Sequence, residues 1–184
     1  MTVRHGILYG YGAGMHQRPG PMPWRITMPP PSQLSDDYQW VFRSHLSRHV
    51  RYLMAATGVP WRVLAHLAGV PSATVASMVT PGRRPRARIR AGDARRLLML
   101  TPATVASAEQ TLVPAAPTVN RIQTLHRAGH HHRQIAGYLN LSDHELAPLA
   151  AGEVSCCTLM VRLRAQAACE AHGLWWSEGD DPMA

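Results

Sequence analysis

From Tyr38 to Ala56 the apolar residues Val41, Phe42, Leu46, Val50, Leu53 and Met54 recur at helical spacing. Ser35-Asp36-Asp37 offers an N-cap before this stretch, and Gly58 a stop after it. Shorter helical segments are predicted at 60–67, 71–79 and 91–100. Between the last two lies Pro81-Gly82-Arg83-Arg84-Pro85-Arg86-Ala87-Arg88-Ile89-Arg90, whose prolines and charge predict a loop. A second set of helical segments is expected at about 118–128, 131–139, 142–150 and 155–171. The pattern predicts an all-α protein of two small helical domains.

The expected organisation has five parts. Residues 1–33, rich in Gly, Pro, Met and Tyr, read as a disordered or extended arm. Met15, Met22 and Met28 are alternative translation starts there. Residues 34–100 form the first domain, 101–117 a linker with room for one short helix, 118–172 the second domain, and 173–184 a tail holding Trp175-Trp176.

The two domains align as an internal repeat. A shift of 71 carries Gly58 to Gly129, Leu64 to Ile135, Ala65 to Ala136, Val75 to Leu146 and Met78 to Leu149. After the arginine loop the apolar matches suggest a shift of 65, with Ile89 on Val154 and Leu98 on Leu163.

Within the first domain, 61–79 meets the needs of a helix-turn-helix. Ala65 is small where the second helix crosses the first, and Gly69 tolerates positive φ in the turn. Val75 and Met78 anchor the second helix. An ordinary helical hairpin with a glycine turn would share these features. The second domain offers Asn140 as the turn and Leu146 and Leu149 as anchors, each domain thus being built around a helix-turn-helix. There Asp143 and Glu145 suit a helix N-terminus but repel phosphate, and Pro148 predicts a kink.

Charge sharpens the picture. The chain carries a net +8 and contains no Lys. Residues 38–100 hold eleven Arg against one acid, whereas residues 101–184 hold five Arg against eight acids. Basic charge concentrated in one third of a chain suits a polyanion. All-Arg usage also fits a GC-rich genome.

Val50 to Leu100 resembles the lambda-repressor-type helix-turn-helix. The resemblance is carried by Trp61-Arg62-Val63-Leu64-Ala65-His66-Leu67-Ala68-Gly69-Val70 and by Ile89-Arg90 before the next helix. With Val119-Asn120-Arg121-Ile122-Gln123-Thr124-Leu125 in the second half, residues 45–170 resemble tandem helix-turn-helix proteins of actinobacteria and their phages. That resemblance implies double-stranded DNA as partner and transcriptional control, as a repressor. It places Pro71, Ser72, Ala73, Ala76, Ser77 and Thr80 on the exposed face of a recognition helix, with Arg62 against phosphate. None of these helix positions is the Arg, Asn or Gln of strong bidentate base readout, so specificity from this helix is expected to be modest.

Arg83, Arg84, Arg86, Arg88 and Arg90 alternate with small residues and are expected to meet phosphate or a narrow minor groove. A solvated basic loop and an RNA-binding segment are the competing readings. Arg127, His132, Arg133, Ser142 and His144 form a secondary set of expected DNA contacts. Against the sequence-specific regulator stand two alternatives. One is an architectural DNA-binding protein of low sequence specificity; the other is an interaction module contacting RNA polymerase or another regulator. A homodimer fits any of them.

No phosphate-binding glycine loop, nucleophile elbow or paired-carboxylate site is present, so no enzyme and no cofactor are expected. His130-His131-His132 and Cys156-Cys157 lack ligand spacing, so no metal is expected either. Cys156, Cys157 and Cys169 are odd in number and two are adjacent, which argues for a reducing cytoplasm; their segment resembles the helix after the first motif, so core packing is expected of them, and DNA binding implies association with the nucleoid. No apolar run is long enough to span a membrane.

Overall fold

A computed structural model describes residues 40–42, 44–80 and 88–174. The expected arm, the Ser35–Asp37 cap, Arg83, Arg84, Arg86 and the Trp175-Trp176 tail lie outside the described residues. The described elements are β1 (Trp40–Phe42), α1 (Ser44–Thr57), α2 (Trp61–Leu67), α3 (Ser72–Val79), β2 (Arg88–Arg90) and α4 (Ala91–Met99). They continue with α5 (Pro102–Gln110), β3 (Leu112–Pro114), α6 (Ala116–Arg127), α7 (His132–Leu139), α8 (Asp143–Ala150), β4 (Cys156–Thr158) and α9 (Leu159–Ala171). The fold is mostly helical, as expected of an all-α chain, with four three-residue strands among the described residues.

Those strands correct the reading of two segments. Val41 and Phe42 belong to a strand, and the first helix begins only at Ser44. The run Trp40-Val41-Phe42 is rich in strand formers and pairs antiparallel with Arg88–Arg90, Val41 opposite Ile89. The end of the arginine loop is therefore a strand, with Ile89 buried and both flanking arginines exposed. In the second half β3 pairs with β4, Val113 opposite Cys157.

The order strand, three helices, strand, helix occurs twice. Starts of α2 and α7, and of α3 and α8, differ by 71 residues. After the loop, β2 and β4, and α4 and α9, are offset by 68 rather than 65. Apolar matching had slid the second strand by three residues because Val154 is exposed and precedes it.

The halves are not separate domains. Leu34–Ala184 is one compact unit. The expected linker 101–117 instead holds α5, β3 and the start of α6. Thr101 caps α5, its side chain accepting from the Thr104 N–H, and Pro102 fits the first turn. One stripe of α9, Met160, Leu163 and Ala167, packs into the first core with Leu53, Leu64 and Leu97. The opposite stripe, Val161, Ala165, Ala168 and Cys169, packs into the second with Ile122, Leu125, Ile135 and Leu146. Spacings of three and four residues put each stripe on its own side of the helix. Of the three cysteines, Cys169 is buried as expected of a core residue, whereas Cys156 is exposed on β4. No helix among the described residues is long and apolar enough to cross a membrane.

Candidate nucleic-acid interface

The α2–α3 turn forms as its residues dictate. Gly69 adopts φ +62°. Its N–H donates to the His66 carbonyl at 3.0 Å, and the Val70 N–H to the Ala65 carbonyl at 2.9 Å. These two bonds satisfy carbonyls that a helix end leaves open. Ala65, Val75 and Met78 are buried, as a crossing point and two anchors require. Asn140, at φ +57°, serves α7 and α8 in the same way. There the Leu141 N–H donates to the Ala136 carbonyl at 3.0 Å.

The expected reading face of α3 is not open. Ser72, Ala76 and Ser77 are buried, leaving Pro71, Ala73 and Thr80 exposed. One cause is visible, and one consequence for Ser77. Ser72 Oγ donates to Glu170 Oε2 at 2.8 Å, so the end of α9 covers the start of α3. Ser77 Oγ donates back to the Thr74 carbonyl at 2.7 Å. Ser72 and Ser77 are therefore corrected from base or phosphate contacts to internal hydrogen-bonding residues.

Glu170 also meets His66, with Nε2 to Oε2 at 2.9 Å. Burial holds the His66 imidazole below its usual pKa range, outweighing the pull of the Glu170 carboxylate; the Arg121 charge acts in the same direction as burial. Sequence reasoning missed Glu170 because its partners lie about a hundred positions away. It also missed Arg96, which pairs with Asp93 at 2.8 Å and donates to the Gly69 carbonyl at 3.0 Å, fastening α4 to the turn.

The other expected basic contacts among the described residues lie at or near the surface. Arg88 and Arg90 are exposed on one face of β2. Arg62 is half-buried, its guanidinium 4.4 Å from the Trp61 ring centroid, which fixes it at the start of α2. Arg127 and Arg133 are exposed, and His132 is half-buried against His126. Ser142 and His144 are exposed, but Ser142 serves as a cap. Its Oγ accepts from the Glu145 N–H at 3.3 Å while its own N–H donates to the Glu145 carboxylate at 2.8 Å. That capping holds the Glu145 carboxyl below its usual pKa. The expected kink does not end α8, which runs through Pro148 to Ala150. Among the described residues no group of three or more His, Cys, Asp or Glu is placed to hold a metal ion.

No protein family, curated protein or solved structure matches this chain.

Proposed function

We propose that the protein binds duplex DNA with low sequence preference, through the arginine-rich surface of its first half. The observation that carries this reading is the contrast between strand and helix. Arg88 and Arg90 are exposed together on β2, and the sequence just before them holds Arg83, Arg84 and Arg86. The centre of α3 presents no exposed donor or acceptor side chain apart from half-buried Thr74. Guanidinium groups bind phosphate bidentately, and contacts to phosphate carry no sequence information of themselves. Arg62, held at the start of α2, adds a contact of the same kind. This favours the architectural reading over a sequence-specific repressor, and binding rather than catalysis as the activity.

The test compares a random-sequence duplex with the winners of an in vitro selection, each over a salt series. About five phosphate contacts give log affinity a slope of roughly −4 to −5 against log salt. The expected result is the same slope on both duplexes and affinities within a few fold. A selected motif bound about a thousandfold more tightly would restore the sequence-specific regulator.

A second reading, a module that contacts another protein, is favoured by one observation. Between α1 and α4 lies an open groove of about 460 Å³, lined by Leu46, Ala94, Arg95, Leu98 and Met99. Leu98 and Met99 are exposed along it, next to each other, and adjoining exposed apolar side chains mark interaction surfaces. Absence of duplex binding at low salt would favour this reading.

A further inference from the structure

The second half is acidic in total, but not everywhere. No acid occurs between Glu109 and Asp143, and this stretch holds Arg121, Arg127 and Arg133 with His126, His130, His131 and His132. Arg121 is buried; the others gather where α6 ends and α7 begins. His126 stacks on His132, ring centroids 6.1 Å apart. His130 lies edge-on to Tyr138 at 5.6 Å and 4.2 Å from His172 at the end of α9. His126, Arg127, His131, Arg133 and His172 are exposed. The corner thus joins three elements, the N-terminus of α7 and the C-terminal ends of α6 and α9, and its exposed ionisable side chains are Arg and His; basic groups suit the two C-terminal ends.

α9 also ties this corner to the first half. His172 faces the corner, while Glu170, two residues earlier, turns to His66 and Ser72 at the α2–α3 junction. The Glu170 carboxylate is thereby engaged at the α2–α3 junction rather than at the corner.

We propose that the α6–α7 corner is a second site for the DNA phosphate backbone, extending the first-half surface around the end of α9. The proposal rests on the duplex-binding reading above. Arg127 and Arg133 supply charge with little competing use. Arg127 bonds only weakly to its own helix, 3.4 Å to the Gln123 carbonyl and 3.3 Å to Thr124 Oγ1. The imidazole rings add N–H donors on a packed, preorganised platform. Charge totals over whole segments conceal such a site, because the acids of α8 and the tail cancel it in the sum.

The test uses the full chain and a random-sequence duplex over a salt series. Three proteins are compared: wild type, Arg127→Ala with Arg133→Ala, and Ala147→Glu with Ala151→Glu. The last pair changes the net charge by the same two units on the exposed side of α8. The corner variant should lower the salt slope by about two, since each lost phosphate contact removes roughly 0.9; the α8 variant should leave it near the wild-type value. Circular dichroism checks that both remain folded. A wild-type slope in the corner variant would overturn the second site and leave the first-half reading standing. Equal losses in both variants would reduce it to bulk charge, also overturning it. No duplex binding by the wild type would bring down both readings together.

Discussion

α3 and α8 occupy equivalent places in the two halves, yet they face opposite circumstances. Each has eight residues, follows a turn residue with positive φ, and is anchored by two buried apolar side chains. In α3 five residues are buried; in α8 only Leu146 and Leu149 are. α3 sits in the basic half, and the end of α9 closes over its start. α8 is open, but its first turn carries Asp143 and Glu145, which would face a phosphate backbone with like charge. The helix with a suitable charge environment is covered, and the helix with a suitable exposure is acidic. Two helices joined by a positive-φ turn thus do not by themselves fix what the second helix can meet: the surface around it decides.

The sharpest way to break this comparison is to put the same charge on both helices. Ser77→Glu should place a carboxylate in a buried position and destabilise the fold by about 3 kcal/mol or more. Ala147→Glu, on the exposed side of α8, should stay within about 0.5 kcal/mol of wild type. Denaturant unfolding of the two variants measures the difference, and equal stabilities would mean that α3 is open after all.

A smaller effect is expected at the contact that closes α3. Glu170→Ala leaves the buried Ser72 hydroxyl without its acceptor and should cost about 1–2 kcal/mol. Faster hydrogen exchange at the start of α3 would localise the loss, and unchanged exchange there would show that Glu170 does not hold α3. On α8, Ser142→Ala removes the cap and should cost about 1 kcal/mol. A variant as stable as wild type would show that the Glu145 side of the capping box suffices.

The smallest effect concerns pH. Burial lowers the His66 pKa in the folded protein, so between the folded and unfolded values the unfolded chain binds more protons. Stability from this residue is then complete above the unfolded value, about 6.5, and is lost as pH falls towards the folded one. His66→Gln should flatten the fall in thermal midpoint from neutral towards acidic pH. A steeper fall would mean that the Glu170 attraction, not burial, dominates.

What was legible in the sequence follows a physical divide. Gly69 and Asn140 could be read because few residue types accept positive φ, and Ala65, Val75 and Met78 because local periodicity fixes which side of a helix is buried. Ser72 and Ser77 could not be placed: a serine opposite the anchors reads as exposed unless something packs on it. For Ser72 that something is Glu170, 98 positions away. The short strands were missed for a related reason, since Trp40-Val41-Phe42 also satisfies a helical period and its partner lies beyond three helices. Arg88 and Arg90 were recognised as exposed basic residues, but their common face depends on a strand that the surrounding prolines disguised as loop.

The double-sided character of α9 also sets when the chain can fold. Met160, Leu163 and Ala167 complete a core whose other buried residues run from Leu46 to Ala108. During synthesis, the first four helices emerge with that apolar wall still open. They must wait for α9 to leave the ribosome before their core can close. Chains interrupted before α9 would retain helices with an uncovered apolar face, the kind of species that aggregates or is captured by chaperones.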